Sequence, residues 1–266
     1  MTPIDIGYSP CPNDTSIFHA MIHGAVDTMG LSFTPHLYDV EELNQKAFEG
    51  LFPVTKLSFF AWLRLEKTYA LLDSGAALGR GCGPLLVGKK GTLPGKGARI
   101  AVPGLYTTAH LLLKLFDPSL ENVTVARFDT ILAGVREGRY DAGVIIHEGR
   151  FVYQNYGLSK IVDLGEWWEQ ETGAPIPLGC IAARKDPQTL SLKPRIESVL
   201  RESVRYSMKH KAASRSYVKE HAQELDDTVI DSHIDLYVNR FTLSLGEEGA
   251  LAVQKLKEMA ACRNLV

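Results

Sequence analysis

Apolar and polar positions alternate in short bursts along the chain, and most bursts give way to stretches with an apolar residue every three or four positions. Strand, loop and amphipathic helix repeated in this way predict an α/β protein. Ile4 to Tyr8 alternates as a strand, Ser9-Pro-Cys-Pro-Asn-Asp-Thr15 forms a rigid turn, and a helix capped by Asn13 or Asp14 carries Ile17, Phe18, Met21 and Ile22 as far as Gly24. Leu31 to Tyr38 is the next strand. Asp39 and Glu42 have capping-box spacing ahead of a helix with Leu43, Ala47 and Phe48. Pro53-Val-Thr-Lys-Leu57 is a short strand, and Ser58 stands as the cap of a helix bearing Phe59, Phe60, Trp62 and Leu63.

Leu85 to Val87 extends as a strand, and a second compact region starts near Gly97. Within it Arg99 to Pro103 is a strand, Thr107-Thr108-Ala109 opens a leucine-rich helix, and Val123 to Phe128 with Asp129 to Val135 repeats the unit. After Gly138, Asp141-Ala-Gly-Val-Ile-Ile146 predicts a short buried parallel strand that delivers His147 to a loop. Pro175 to Ala183 is extended and returns the chain to the first region. The expected division is 1–97 with 178–266 as one discontinuous lobe and 98–177 as the other. Pro194 fits the first turn of a helix with Ile196, Val199, Leu200, Val204 and Met208 on one face. Further helices carry Tyr217 and Val218, Ile230 and Ile234, then Leu251, Val253 and Leu256.

Composition narrows the function classes. The chain has 266 residues, and an apolar fraction of 45% supplies enough material for a large core. A formal charge of -2 with scattered Lys and Arg argues against nucleic acid as a partner. No apolar run approaches the roughly 20 residues that span a bilayer, which argues against a membrane. Asp5, Pro10, Pro12, Asn13 and Asp14 interrupt any leader-like run, so a cytoplasmic protein with four reduced thiols is expected. Those cysteines, Cys11, Cys82, Cys180 and Cys262, lie too far apart for a zinc site or redox pair. The glycine-rich stretch 75–84 lacks a P-loop ending and a dinucleotide fingerprint, and neither G-x-S-x-G nor H-E-x-x-H occurs. No bound cofactor or metal is predicted.

The chemistry centres on His147, at the carboxyl end of a strand, where ligands of open α/β sheets collect. Its competing role is a histidine satisfied within the structure. Cys11, beside a helix start, is either an activated thiol or an inert buried one. Ser58, Thr107 and Thr108 are ligand contacts or plain helix caps. Arg150 binds a substrate carboxylate or forms an ion pair. Tyr153, Tyr156, Trp167 and Trp168 flank an aromatic ligand or belong to the core.

Three stretches together, Ser9-Pro-Cys-Pro-Asn-Asp14, Thr55-Lys-Leu-Ser58 and Ile145-Ile-His-Glu148, resemble the 1,4-dihydroxy-6-naphthoate synthase family of the futalosine route to menaquinone. The likeness runs nearly end to end, through Leu78-Gly-Arg-Gly81, Ala101-Val-Pro-Gly104 with Thr107-Thr-Ala109, and Val162-Asp-Leu-Gly165. It implies a two-lobe fold of the periplasmic-binding-protein type II kind with the ligand between lobes. It also implies a carbon–carbon lyase that cleaves cyclic dehypoxanthine futalosine, an aromatic carboxylate, to 1,4-dihydroxy-6-naphthoate and a dihydroxyacetone fragment. The resemblance makes His147 the base, places Lys56, Leu57, Ser58, Thr108 and Ala109 on the substrate, and gives Cys11 a pocket-lining role. Two rivals stand beside it: chorismate dehydratase of the same pathway, and a solute-binding protein that only captures a small acid.

Overall fold

The computed structural model describes residues 1–223 and 226–266, and two sheets organise them. The strands are β1 (Thr2–Tyr8), β2 (Leu31–Leu37), β3 (Val54–Ser58), β4 (Tyr69–Leu71), β5 (Ala77–Gly79), β6 (Leu85–Gly88), β7 (Ile100–Val102), β8 (Val123–Val125), β9 (Ala142–Ile145), β10 (Ser159–Asp163) and β11 (Ile176–Arg184). The helices are α1 (Pro12–Ile22), α2 (Val40–Phe48), α3 (Phe59–Leu65), α4 (Thr108–Phe116), α5 (Phe128–Glu137), α6 (Gly149–Val152), α7 (Leu164–Thr172), α8 (Pro187–Lys209), α9 (Arg215–His221), α10 (Asp227–Tyr237), α11 (Arg240–Leu243) and α12 (Gly246–Cys262).

The first sheet has the order β2-β1-β3-β11-β4, and β5 also pairs with β11. Its β1 lies parallel to β2, with Ile4 opposite Phe33, and parallel to β3, with Ile6 opposite Val54. β11 returns antiparallel to β3 and sets Cys180 opposite Leu57. The second sheet has the order β10-β6-β9-β7-β8. Strand β9 was expected to be parallel; it is parallel to β7 and antiparallel to β6, because β6 reaches this sheet from the opposite direction. Strands on both sides of Gly97, β6 and β7, therefore share one sheet.

One apolar cluster unites the two sheets, running from Leu57 and Phe59 through Leu86, Ile100 and Leu111 to Trp168 and Ile176. A second cluster packs α1 and α8 on the first sheet through Ile6, Phe18, Leu31, Ile196 and Leu200. A third seats α5 on the second sheet through Ile131, Leu132 and Val135.

Helix starts follow the sequence where a side chain is free to cap. Asp39 accepts the Glu41 amide and Thr107 accepts the His110 amide. The α1 start differs from expectation: Cys11 holds the cap position, Pro12 enters the first turn, and the Asp14 carboxylate turns inward to other partners. Ser58 precedes α3 without capping it. Pro194 lies inside α8; Pro187 takes the first turn, after Asp186 has capped the Thr189 amide. Pro194 and Leu190, whose carbonyl it leaves without a helical donor, both face solvent, where water can substitute. Leu251 lies outside the stripe that α12 buries and is 63% exposed.

Candidate active site

A cleft of about 610 Å³ opens between the two sheets. Ser9, Asn13, Asp14, Lys56, Ser58 and Gly179 line it from the first-sheet side, Thr107, Thr108, Ala109, Ile146 and His147 from the second, and Tyr237 from α10.

His147 arrives on a rigid support. Strand β9 is buried along its whole length and hydrogen-bonded on both sides, so the residues beyond Ile145 start from a fixed point. His147 itself has φ 54°, in the left-handed region that non-glycine residues adopt at a cost of order 1–3 kcal/mol. This turn lets the chain enter α6 at once, with the Phe151 amide donating to the Glu148 carbonyl. Phe128 meets the imidazole edge-on at 5.0 Å, and the ring of His233 lies nearly parallel to it at 6.1 Å. Nε2 of His147 is shielded from solvent, although the residue as a whole is half-buried, and it has no hydrogen-bond partner among the described residues. Burial lowers the pKa to about 4, with Asp14 opposing the shift and Lys56 adding to it. At neutral pH the group is a neutral imidazole with a nitrogen able to take a proton.

Behind the cleft wall lies a buried polar array. Lys56 donates to Asp14 at 2.6 Å, and Asp14 also receives the Ser9 hydroxyl at 2.7 Å and the Asn13 amide nitrogen at 2.9 Å. The charge of Lys56 is thus committed to Asp14. The Asn13 carbonyl oxygen lies 3.1 Å from His233 Nε2, and His233 Nδ1 lies 4.0 Å from the Glu148 carboxylate.

A second array crosses the mouth. The Asn44 amide nitrogen donates to Ser58 Oγ at 3.1 Å and to Glu41 at 3.2 Å, while its oxygen accepts the Ser58 amide at 2.9 Å. All of Asn44's hydrogens are used, so Ser58 is locked while its hydroxyl hydrogen stays available for donation. Glu41, on α2, accepts the Tyr106 amide at 3.2 Å from the loop ahead of α4. Gly104 allows this approach, since a Cβ there would sit 2.3 Å from the Glu41 carboxyl carbon.

The threonine hydroxyls are occupied. Thr107 donates to the Gly104 carbonyl and caps the helix; Thr108 donates to the Leu178 carbonyl at 2.8 Å and accepts the Phe60 amide at 3.2 Å, tying α4 to the first sheet. What the α4 start offers a ligand is backbone: the Thr108 and Ala109 amides lie in the first turn, where no helical carbonyl meets them.

Three expected contacts lie outside the lining. Leu57 is fully buried and packs in the core that joins the sheets. Cys11 sits beneath the wall, and burial, then Glu148, push its thiol well above the ordinary value, so the activating field expected of a helix start does not prevail. Arg150 donates to Asp163 at 2.6 Å and to the Gly83 carbonyl at 2.5 Å. Trp168 is core, Trp167 packs on Phe116, and Tyr153 and Tyr156 pack over the third cluster. The sequence reading missed His233, Tyr237 and Cys82. A signal for His233 was present: Ile230, His233, Ile234 and Tyr237 follow helical spacing, so a histidine interrupts a buried apolar stripe. The cysteines are free thiols, and among the described residues no three His, Cys, Asp or Glu side chains converge as metal ligands. Among the same residues no helix is long and apolar enough to cross a membrane.

Two sheets enclosing a cleft, with a chain that leaves the first sheet and comes back to it, define a periplasmic-binding-protein-like fold. The alkanesulfonate-binding protein of Xanthomonas axonopodis pv. citri superposes with TM-score 0.70 at 16% identity, over 100% of this chain and 94% of that one. A crystal structure of an Archaeoglobus fulgidus protein superposes with TM-score 0.92 at 36% identity, over 99% and 98%. The chain belongs to the menaquinone biosynthesis family, whose model matches residues 4–262. Proteins named 1,4-dihydroxy-6-naphthoate synthase share 47% identity from Thermus thermophilus, over 100% of this chain and 96% of the relative, and 43% from Streptomyces coelicolor, over 99% and 94%.

Proposed function

We propose that this protein is a 1,4-dihydroxy-6-naphthoate synthase, a carbon–carbon lyase that cleaves cyclic dehypoxanthine futalosine in menaquinone biosynthesis, with His147 as general base. The observation that carries the role of His147 is its neutral imidazole at the end of β9, with a shielded Nε2 and a cleft in front of it. Two full-length relatives bear the name of that activity. The substrate carboxylate is anchored by the Thr108 and Ala109 amides at the positive end of α4, with the Ser58 hydroxyl donating to a second oxygen of the substrate. Lys56, neutralised by Asp14, sets the field of the wall without acting as the carboxylate clamp. His147 removes a substrate proton, the electron pair left behind forms a new double bond, and the adjacent carbon–carbon bond breaks with its pair taken up by the conjugated fragment that becomes the naphthoate. The protonated His147 then returns its proton to a product. Formation of the aromatic naphthoate supplies driving force on the product side. A positioned base contributes roughly 100- to 10,000-fold.

Arg150 stays with Asp163 and takes no part in binding, and the same cytoplasmic compartment as the rest of the pathway is proposed. The decisive experiment incubates purified protein with cyclic dehypoxanthine futalosine, following the naphthoate chromophore, and separately with chorismate, following loss of that substrate. Naphthoate from the first substrate alone supports the assignment; chorismate turnover, or binding without turnover, overturns it. His147→Asn at near wild-type rate, with the fold intact, removes the base assignment.

A further inference from the structure

His233 is 0% exposed, yet the reaction as derived gives it no task. It stands on α10, which packs with the first sheet's α1, and faces the His147–Glu148 turn that follows β9 in the second sheet. Its proton arrangement follows from its neighbours. The Asp14 carboxylate only accepts, and it takes hydrogens from the Ser9 amide, the Ser9 hydroxyl, Asn13 and Lys56. Asn13 must therefore turn its nitrogen to Asp14 and its oxygen to His233. His233 Nε2 is then the donor of that 3.1 Å bond, and in a neutral ring Nδ1 carries the lone pair. Nδ1 faces the Glu148 carboxylate at 4.0 Å, beyond hydrogen-bond range.

We propose that His233 is a positioning residue for the reaction: fixed by Asn13 and lying beside Glu148, it braces the His147 imidazole from behind the cleft wall. This deepens the synthase reading and rests on His147 being its base. The brace has a mechanical reason. His147 occupies a strained left-handed turn, and its ring is held by the Phe128 edge on one side and the nearly parallel His233 ring on the other. Glu148 is the next residue in the chain, so its contact with His233 also pins the turn itself. The groups facing His233 are His147 and Glu148 from that turn, Asn13 from α1 with Asp14 and Lys56 behind it, Phe151 from α6, and Tyr237 on its own helix at 4.7 Å. Burial, His147 and Lys56 all disfavour a cation on His233.

The test uses the full-length protein with cyclic dehypoxanthine futalosine as substrate. His233→Gln keeps an amide able to donate to Asn13 but removes the ring; His233→Phe keeps a flat ring but removes both nitrogens. In each, kcat is expected to fall about 10- to 100-fold, as misplacement of a catalytic group does, with KM within about threefold. The acid limb of kcat/KM is expected to move upward. In both variants the brace loosens and water reaches the His147 imidazole, which weakens the desolvation that lowers its pKa. Glu148→Gln keeps a side chain of the same length packed beside His233 and is expected to keep at least about ten times the kcat of Glu148→Ala. An unmoved acid limb in His233 variants, whatever their Tm, overturns the proposal, as does kcat within threefold of wild type. Should the His233 variants not fold, equal kcat for the two Glu148 variants overturns it. An inactive His147→Asn beside an unaffected His233→Gln would remove this proposal and leave the base in place; an active His147→Asn would remove the base.

Discussion

The acidity of His147 gives the sharpest handle on the site. The perturbation is pH, and the assay is kcat/KM for naphthoate formation from pH 4 to 8, with near-ultraviolet circular dichroism confirming the fold at each point. A base works in its deprotonated form, so activity is retained above the pKa and lost below it. Burial lowers that pKa from 6.5 to about 4. At pH 5.5 a base of pKa about 4 is about 97% deprotonated, whereas one at 6.5 is only about 9% deprotonated, a difference of roughly tenfold in rate. The profile is therefore expected to stay flat from pH 8 down to about 5 and to fall with a midpoint near 4. An acid limb centred between 6 and 7 in a protein that is still folded would refute the claim that the base is desolvated in the free enzyme.

Other expectations follow from the same contacts. Lys56→Met strands the Asp14 carboxylate in a buried site and should cost about 3–5 kcal/mol in urea unfolding; a loss under 1 kcal/mol would contradict the buried pair. Gly104→Ala should expel the Glu41 carboxylate from the Tyr106 amide, a charge-assisted bond of about 1.5–3 kcal/mol, and raise KM about tenfold or more; an unchanged KM would show that the contact does not shape the mouth of the cleft. A histidine whose pKa is lower in the folded state lends stability above its unfolded value of 6.5 and loses it as pH falls towards 4, here by about 3 kcal/mol for His147. His147→Gln should remove that share of acid sensitivity, measured from urea midpoints at pH 7 and 4.5, and identical losses in both proteins would contradict it. Trp168→Ala, which empties a fully buried site and drops the bond to the Pro175 carbonyl, should cost about 3–5 kcal/mol.

Local order made much of this architecture legible. The alternation of Ile4 to Tyr8, the caps at Asp39 and Thr107, and the small-residue run into His147 each encode an element through contacts with near neighbours. The α8 start was misplaced because Pro194 and Pro187 look alike locally, and only the Asp186 cap decides between them. Long-range pairing was the harder part. Nothing around Lys56 announces Asp14, and nothing around His147 announces a partner on α10; those meetings depend on how two sheets face each other. Cys11 shows the same limit, since a thiol beside a helix start reads as activated until the depth of its burial is known.

The place of β11 in the first sheet has a bearing on how the protein is made. This strand bonds to β3 on one side and to β4 and β5 on the other, yet it is translated after every strand of the second sheet. From Ser58 to Ile176 the ribosome needs roughly 6–24 s at ordinary elongation rates. Through that interval the nascent chain carries an open β3 edge, while the segment behind it can already close its own sheet. The later-synthesised half is thus the first able to mature, and the β3 edge stays unpaired until β11 emerges.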